Sequence, residues 1–230
     1  MHLLKNCKQC SLKKINNFDE LFDGLCQDCS IKSLAYNKYY EANIPVEYWN
    51  LNMKRDFIGS KILSDEYTRV AGDLQSFYHN GSAICFGGNN GIGKSMVATS
   101  ILKKATLKNF SCLYTTLSDA VNVLTLPSSE DKFSARKELT IVDFLVIDEF
   151  DPRFIGSDNA GDLFGRTLET IFRTRSQNKL PTIMCSNSPN PVESFTGSIK
   201  VSIDSLMSRV KIIPILASDH RKIQARENIK

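Results

Sequence analysis

The sequence predicts an α/β chain in which a five-stranded parallel sheet is flanked by helices. Three observations predict it. Short apolar runs alternate with stretches of helical periodicity along most of the 230 residues. The run Ser82-Ala83-Ile84-Cys85-Phe86 leads into a glycine-rich loop that opens a helix. The run Phe144-Leu145-Val146-Ile147 ends in Asp148-Glu149, which puts two acids at the strand's carboxyl end, the edge at which parallel sheets bind ligands.

Composition bounds the rest. Apolar content of 42% and charged content of 23% are ordinary for a globular chain and allow one sizeable core with a small appendage. No apolar run approaches a membrane span, and Met1 to Cys10 lacks the apolar region of a signal peptide, so a cytoplasmic protein with no membrane partner is expected. Thiols stay reduced there, and seven cysteines need a reason other than disulfides. The net charge of +4 is modest. Residues 198–230 carry seven basic against three acidic side chains, an excess equal to that of the whole chain. Such an end suits either a polyanionic partner or a solvated tail.

The chain divides into a zinc-binding docking module (1–32), a linker helix and pre-core segment (33–60), a core (61–217) and a basic tail (218–230). Cys7-x-x-Cys10 and Cys26-x-x-Cys29, 15 residues apart, have four-cysteine zinc spacing. Each pair presents two thiolates from a tight turn, and two pairs complete a tetrahedron around Zn²⁺. Four protein ligands leave no open position, so the site is structural, and binding energy there is folding energy. His2 lies outside the pattern.

Ile31 to Tyr40 reads as a helix, broken by Pro45. Tyr48 and Trp49 are read as core, with an adenine-pocket wall as the alternative. Lys61 to Tyr78 reads as one long helix, with Gly81 as its C-cap. Then comes Gly88-Asn89-Asn90-Gly91-Ile92-Gly93-Lys94-Ser95, the G-x-x-x-x-G-K-[ST] pattern of a phosphate-binding P-loop. Its glycines let successive N–H groups point at phosphate oxygens, Lys94 reaches the β- and γ-phosphates, and the Ser95 hydroxyl holds Mg²⁺. With Met96 these residues form the predicted ATP site, at the positive end of a helix carrying Val97, Ile101 and Ala105 on one face.

A second strand is expected at Phe110 to Thr115, followed by a helix capped by Ser118. Lys132, Arg136 and Lys137 are read as a solvated helix face, with a nucleic-acid contact as the alternative. After the third strand, Asp148 is expected to hold Mg²⁺ through its water shell, and Glu149 to act as general base on the attacking water. A helix follows over Asp162 to Asn178, then a strand from Pro181 to Asn187, whose terminal amide falls where it can orient water near a γ-phosphate. A short helix spans Ser202 to Val210. The last strand, Ile212 to Leu216, contains Pro214, which places it at a sheet edge. Cys85, Cys112 and Cys185 lie in predicted strands and are read as inert core residues.

This layout resembles an AAA+ ATPase core, with Asn187 similar to the superfamily's sensor-1 residue. More narrowly, Ala42-Asn43-Ile44-Pro45, the P-loop, Leu145 to Glu149, and Arg173-x-Arg175 leading to Pro181-Thr182-x-Met184-x-x-Asn187 resemble the bacterial and phage helicase loaders of DnaC/DnaI type. That family is related to transposition ATPases of IstB type. The match covers roughly residues 33–216. Leu206-Met207-Ser208-Arg209 resembles the helix bearing the family's arginine finger, with Arg175 as a second candidate. The cysteine-rich module resembles the part by which DnaI-like loaders dock on the replicative helicase. The 21 residues after Arg209 imply a reduced or absent lid.

The resemblance implies an ATPase, using ATP, Mg²⁺ and Zn²⁺, that loads a replicative hexameric helicase onto single-stranded DNA. It further implies self-association into a ring or spiral. Its rivals are a transposition ATPase on duplex DNA, a nucleotide-gated adaptor with little hydrolysis, which the presence of both acids disfavours, and a P-loop kinase, which needs a substrate-lid insertion not found here.

Overall fold

The computed structural model of the protein describes residues 8–9, 26–123, 128–151 and 161–216. Cys7 and Cys10, residues 152–160 and the basic tail beyond Leu216 lie outside the described residues.

Five strands form one parallel sheet: β1 (Ala83–Gly88), β2 (Cys112–Thr116), β3 (Phe144–Asp148), β4 (Thr182–Ser186) and β5 (Lys211–Ile215), in the order β2-β3-β4-β1-β5. β5 is an edge strand, as Pro214 requires, since proline offers no N–H to an outer neighbour. The helices are α1 (Gln27–Glu41), α2 (Lys61–Gly72), α3 (Leu74–His79), α4 (Lys94–Leu107), α5 (Leu117–Asn122), α6 (Ser129–Ile141), α7 (Gly161–Gln177) and α8 (Gly197–Met207).

Alternate strand residues feed two apolar layers, because successive side chains point to opposite faces of a sheet. Ile84, Phe86, Phe144, Val146, Ile183 and Cys185 pack on the side of α1 to α4. Cys85, Leu145, Ile147 and Met184 pack on the side of α5, α7 and α8. Val97, Ile101 and Ala105 of α4 are fully buried, as their spacing predicts.

Several boundaries differ from the sequence expectation. The stretch from Lys61 to Tyr78 is two helices, not one. Asp73 leaves helical geometry at φ −135° and its carboxylate caps α3 by accepting from the Ser76 N–H at 2.9 Å. α5 is capped by Thr116, whose hydroxyl accepts from the Asp119 N–H, rather than by Ser118. α1 starts at Gln27, four residues before the expected start, and α8 at Gly197, five before it.

Arg175 is corrected as a finger candidate. It is 1% exposed at the end of α7 and donates to the carbonyls of Leu139, Val142 and Pro181 and to Thr182 Oγ1, at 2.6–3.0 Å. Buried guanidinium groups need such partners, and this one is a strut between α6, α7 and β4. Burial pushes its guanidinium down to about 10.

The pre-core segment also serves the sheet. The Ala42 carbonyl accepts from the Tyr114 N–H at 2.8 Å, and Asn43, at φ 53°, donates its amide to the Tyr114 carbonyl at 3.0 Å. The open edge of β2 is thereby covered, a common protection against pairing with another chain. Trp49 packs on Tyr36 and Tyr39 and donates to the Ile44 carbonyl at 2.8 Å. Lys103 of α4 donates to the carbonyls of Tyr48 and Leu51, both at 2.6 Å, and fixes this segment over α4.

Candidate functional site

The carboxyl ends of β1, β3 and β4 open into a cleft. Glu47, Tyr48, Asn90, Gly91, Gly93, Lys94, Ser95, Met96, Tyr114, Asp148, Glu149 and Asn187 line it. The structure thus brings the predicted loop, both acids and Asn187 to one place. Gly88, Asn89 and Ile92 complete the loop beneath, with Ile92 fully buried.

The loop curls because Gly91 and Gly93 take φ of 75° and 96°, a region that side chains with a Cβ rarely enter. At Gly93 a Cβ would also meet the Phe57 ring at 2.5 Å. Gly93 caps α4, so the first turn of a 14-residue helix aims its N–H groups into the cleft. Lys94 is 6% exposed, and its Nζ donates to the carbonyls of Gly88 and Asn89 at 2.8 Å each. The ammonium therefore sits in the curl of the loop.

Asp148 follows the alternation of β3 onto the α4 side and is 6% exposed. Both of its oxygens are held: Oδ2 accepts from the Tyr114 hydroxyl at 2.8 Å and Oδ1 from the Glu149 N–H at 2.8 Å. The buried Cys185 thiol of β4 lies against the same carboxylate. Burial, then the Asp148 carboxylate, pushes the Tyr114 phenol well above its usual range, so it stays a donor. Burial likewise raises Cys85, up to about 12, and Cys185, so both thiols are inert at neutral pH, in line with the core reading.

Glu149 lies just past the strand, exposed to the cleft at φ 53°. A non-glycine residue in that region carries strain that the surroundings must hold. Here Phe150 anchors the backbone: its N–H donates to the Cys185 carbonyl at 2.8 Å and its ring packs on Phe195. Desolvation and the carboxylates of Asp148 and Asp119 hold Glu149 above the ordinary carboxylate range.

Ser95 and Asp148 supply hydroxyl and carboxylate oxygens, the hard donor set that suits Mg²⁺. Of the two aromatic residues weighed as a pocket wall, both pack against the core, and Tyr48 also lines the cleft, with its hydroxyl beside Glu47 and Ser95, whereas Trp49 does not reach it. Glu47 and Tyr114 were not foreseen at the cleft. The signal for Tyr114 was a phenol in an otherwise buried strand, which needs a polar partner.

Arg209 is elsewhere. It is exposed two residues before β5, at the amino edge of the sheet. There it lines a separate pocket between α7 and α8 with Phe172, Arg173 and Leu206. Gly88 pairs with Ile215, so the length of β5 and the turn before it separate Arg209 from this chain's own loop, about 20 Å at ~3.3 Å per residue.

Cys26 and Cys29 fall at the start of α1, Cys26 as its buried N-cap and Cys29 in its first turn. With the first pair outside the described residues, no group of three or more metal-binding side chains occurs among the described ones. None of the described helices is long and apolar enough to cross a membrane.

No protein-family model and no curated protein matches the chain. Solved structures do. DnaI superposes with a TM-score of 0.58 at 18% identity, over 72% of this chain and 89% of that one. A candidate primosome component from Streptococcus pyogenes serotype M3 gives 0.59 at 14%, over 77% and 92%. The replication initiator DnaA bound to AMPPCP and single-stranded DNA gives 0.59 at 15%, over 81% of this chain and 55% of the DnaA chain. At such identities the likeness is one of fold: these structures share the five-stranded parallel sheet flanked by helices.

Proposed function

We propose that the protein is an ATP-driven loader of a replicative hexameric helicase onto single-stranded DNA, working through ATP-dependent assembly with copies of itself. One observation carries this reading. The loop, Ser95, both acids and Asn187 share a cleft at one edge of the sheet, while Arg209 stands exposed at the other. Each copy therefore offers one half of an ATPase site at each edge. The fold likeness to DnaI, and to a DnaA that binds AMPPCP and single-stranded DNA, supports the replication setting.

In this reading the N–H groups of residues 89–95 and the Lys94 ammonium bind the β- and γ-phosphates of ATP. Ser95 and, through water, Asp148 hold Mg²⁺, which when bound would neutralise charge developing on the phosphates. Glu149 takes the proton of the attacking water, and the Asn187 amide orients that water. The zinc module presents the docking surface for the helicase.

The test uses a labelled single strand and the hexameric helicase of the same replication system. With ATP the protein should bind the strand, co-elute with the helicase, and lose affinity steeply with salt as phosphate contacts release counterions. Equal binding with and without nucleotide would overturn the ATP-driven switch, and preference for duplex DNA with no helicase association would overturn the loader in favour of a transposition ATPase.

The zinc assignment has its own test. Protein purified without chelator should carry one Zn²⁺ per chain, and Cys26→Ser should lose it, unfold the segment before α1 and leave ATP binding by the core intact. Metal analysis finding no zinc in the unaltered protein would remove the module from the reading.

A further inference from the structure

We infer that Tyr114 is a positioning residue of the nucleotide site: its phenol fixes the Asp148 carboxylate in the orientation that serves Mg²⁺. The inference rests on the reading of the cleft as an ATP and Mg²⁺ site.

The geometry is specific. Tyr114 of β2 pairs with Val146, and Thr116 pairs with Asp148, so the phenol reaches diagonally along the sheet by two residues. That is about 7 Å, the reach of a tyrosine side chain. It meets Oδ2 at 2.8 Å while the Glu149 N–H holds Oδ1 at 2.8 Å. With the Tyr114 hydroxyl on Oδ2, the Glu149 N–H on Oδ1 and the Cys185 thiol against the same carboxylate, the group cannot turn about its side-chain bonds without breaking the buried bond to Tyr114. The lone pairs that remain are the ones available to the cleft that Asp148 and Ser95 line together.

Tyr114 is itself fixed at its other end. Its N–H and carbonyl bond the Ala42 carbonyl and the Asn43 amide of the pre-core segment. The ring belongs to the apolar layer beneath α4. Phenylalanine would fill that layer equally well, and a buried hydroxyl is costly unless bonded. The hydroxyl has one buried partner, Asp148. Donors that orient metal-binding carboxylates from behind are typically worth 10–100-fold in metal affinity or activity.

Tyr114→Phe keeps the ring and removes the donor. Binding of a fluorescent ATP analogue is measured in EDTA and across a Mg²⁺ titration. Affinity in EDTA should stay at the wild-type value, whereas the Mg²⁺ concentration for half-maximal tightening should rise about 10–100-fold. A purely structural tyrosine would lower thermal stability with and without Mg²⁺ alike and leave that midpoint in place, and such a result overturns the inference. Should Tyr114→Phe fail to fold, a fluorotyrosine at position 114 preserves the hydroxyl. Its fluorine resonance should shift when Mg²⁺ joins bound ADP, and an unmoved resonance overturns the inference as well. The two readings fail separately: a wild type that binds no nucleotide in EDTA or Mg²⁺ removes the ATP site itself, and with it this role for Tyr114.

Discussion

Glu149→Gln protein should bind ATP as the wild type does and hydrolyse it about 10²–10⁴ times more slowly, the usual worth of a positioned general base. Glutamine keeps the shape and the backbone but takes no proton from water. Glu149 is the cleft carboxylate suited to that task. Asp148 has its oxygens engaged by Tyr114 and by the Glu149 N–H, whereas Glu149 extends from a strained backbone into the open cleft. Its environment also raises its pKa above the ordinary carboxylate range. The base must be ionised to act, so turnover should fall as pH drops through the pKa of Glu149 in the ATP complex. In Glu149→Gln that acid limb should vanish from the residual rate. Lys94→Ala is the contrasting variant: it removes the ammonium from the curl of the loop, and nucleotide binding itself should be lost. Equal turnover by Glu149→Gln and wild type, measured as phosphate release at saturating ATP, would show that the base is another group.

The parts of the fold legible in the sequence are those that physics writes locally. A strand buried on both faces must be apolar throughout, so β1, β3 and β4 could be read as runs of four to six residues. The loop was legible because backbone cradling of phosphates needs glycines at fixed offsets. What escaped reading depends on tertiary context. Val70, Leu74 and Phe77 keep helical spacing straight across the break at Asp73, so periodicity could not show that two helices meet there. Tyr48 and Trp49 are neighbours in sequence and both pack on the core, yet after the short 3₁₀ turn at Val46–Tyr48 only Tyr48 reaches the cleft. Arg175 illustrates the same limit. A charge near a strand start reads as surface, and only the four acceptors gathered from the end of α6 and the start of β4 reveal a buried strut.

The burial of Arg175 narrows the question of which arginine completes the site. Among the described residues that line the cleft none is an arginine, and Lys94 is the only cation. Charge developing at a γ-phosphate in such sites is commonly met by an arginine worth 10³–10⁵ in rate, supplied in cis or by a neighbouring molecule. Arg173 is exposed but engaged with Glu169 one turn away. Arg209 is exposed at the amino edge, too far along the sheet to serve its own loop. It can serve the loop of a second copy packed with its amino edge toward the first copy's cleft. Arg209→Ala should therefore bind ATP normally yet lose about 10³–10⁵ in hydrolysis, together with ATP-dependent assembly. Lys94→Ala should be inactive for the opposite reason, having a sound arginine and no nucleotide. Mixed in equal amounts, the two inactive proteins can form pairs in which an intact loop from one faces Arg209 of the other. Phosphate release should return to a measurable fraction of the wild-type rate, and it should scale with the square of total protein while assembly is incomplete. If mixed assemblies form and no activity returns, Arg209 does not act across the interface, and the charge at the γ-phosphate is met by a group from elsewhere.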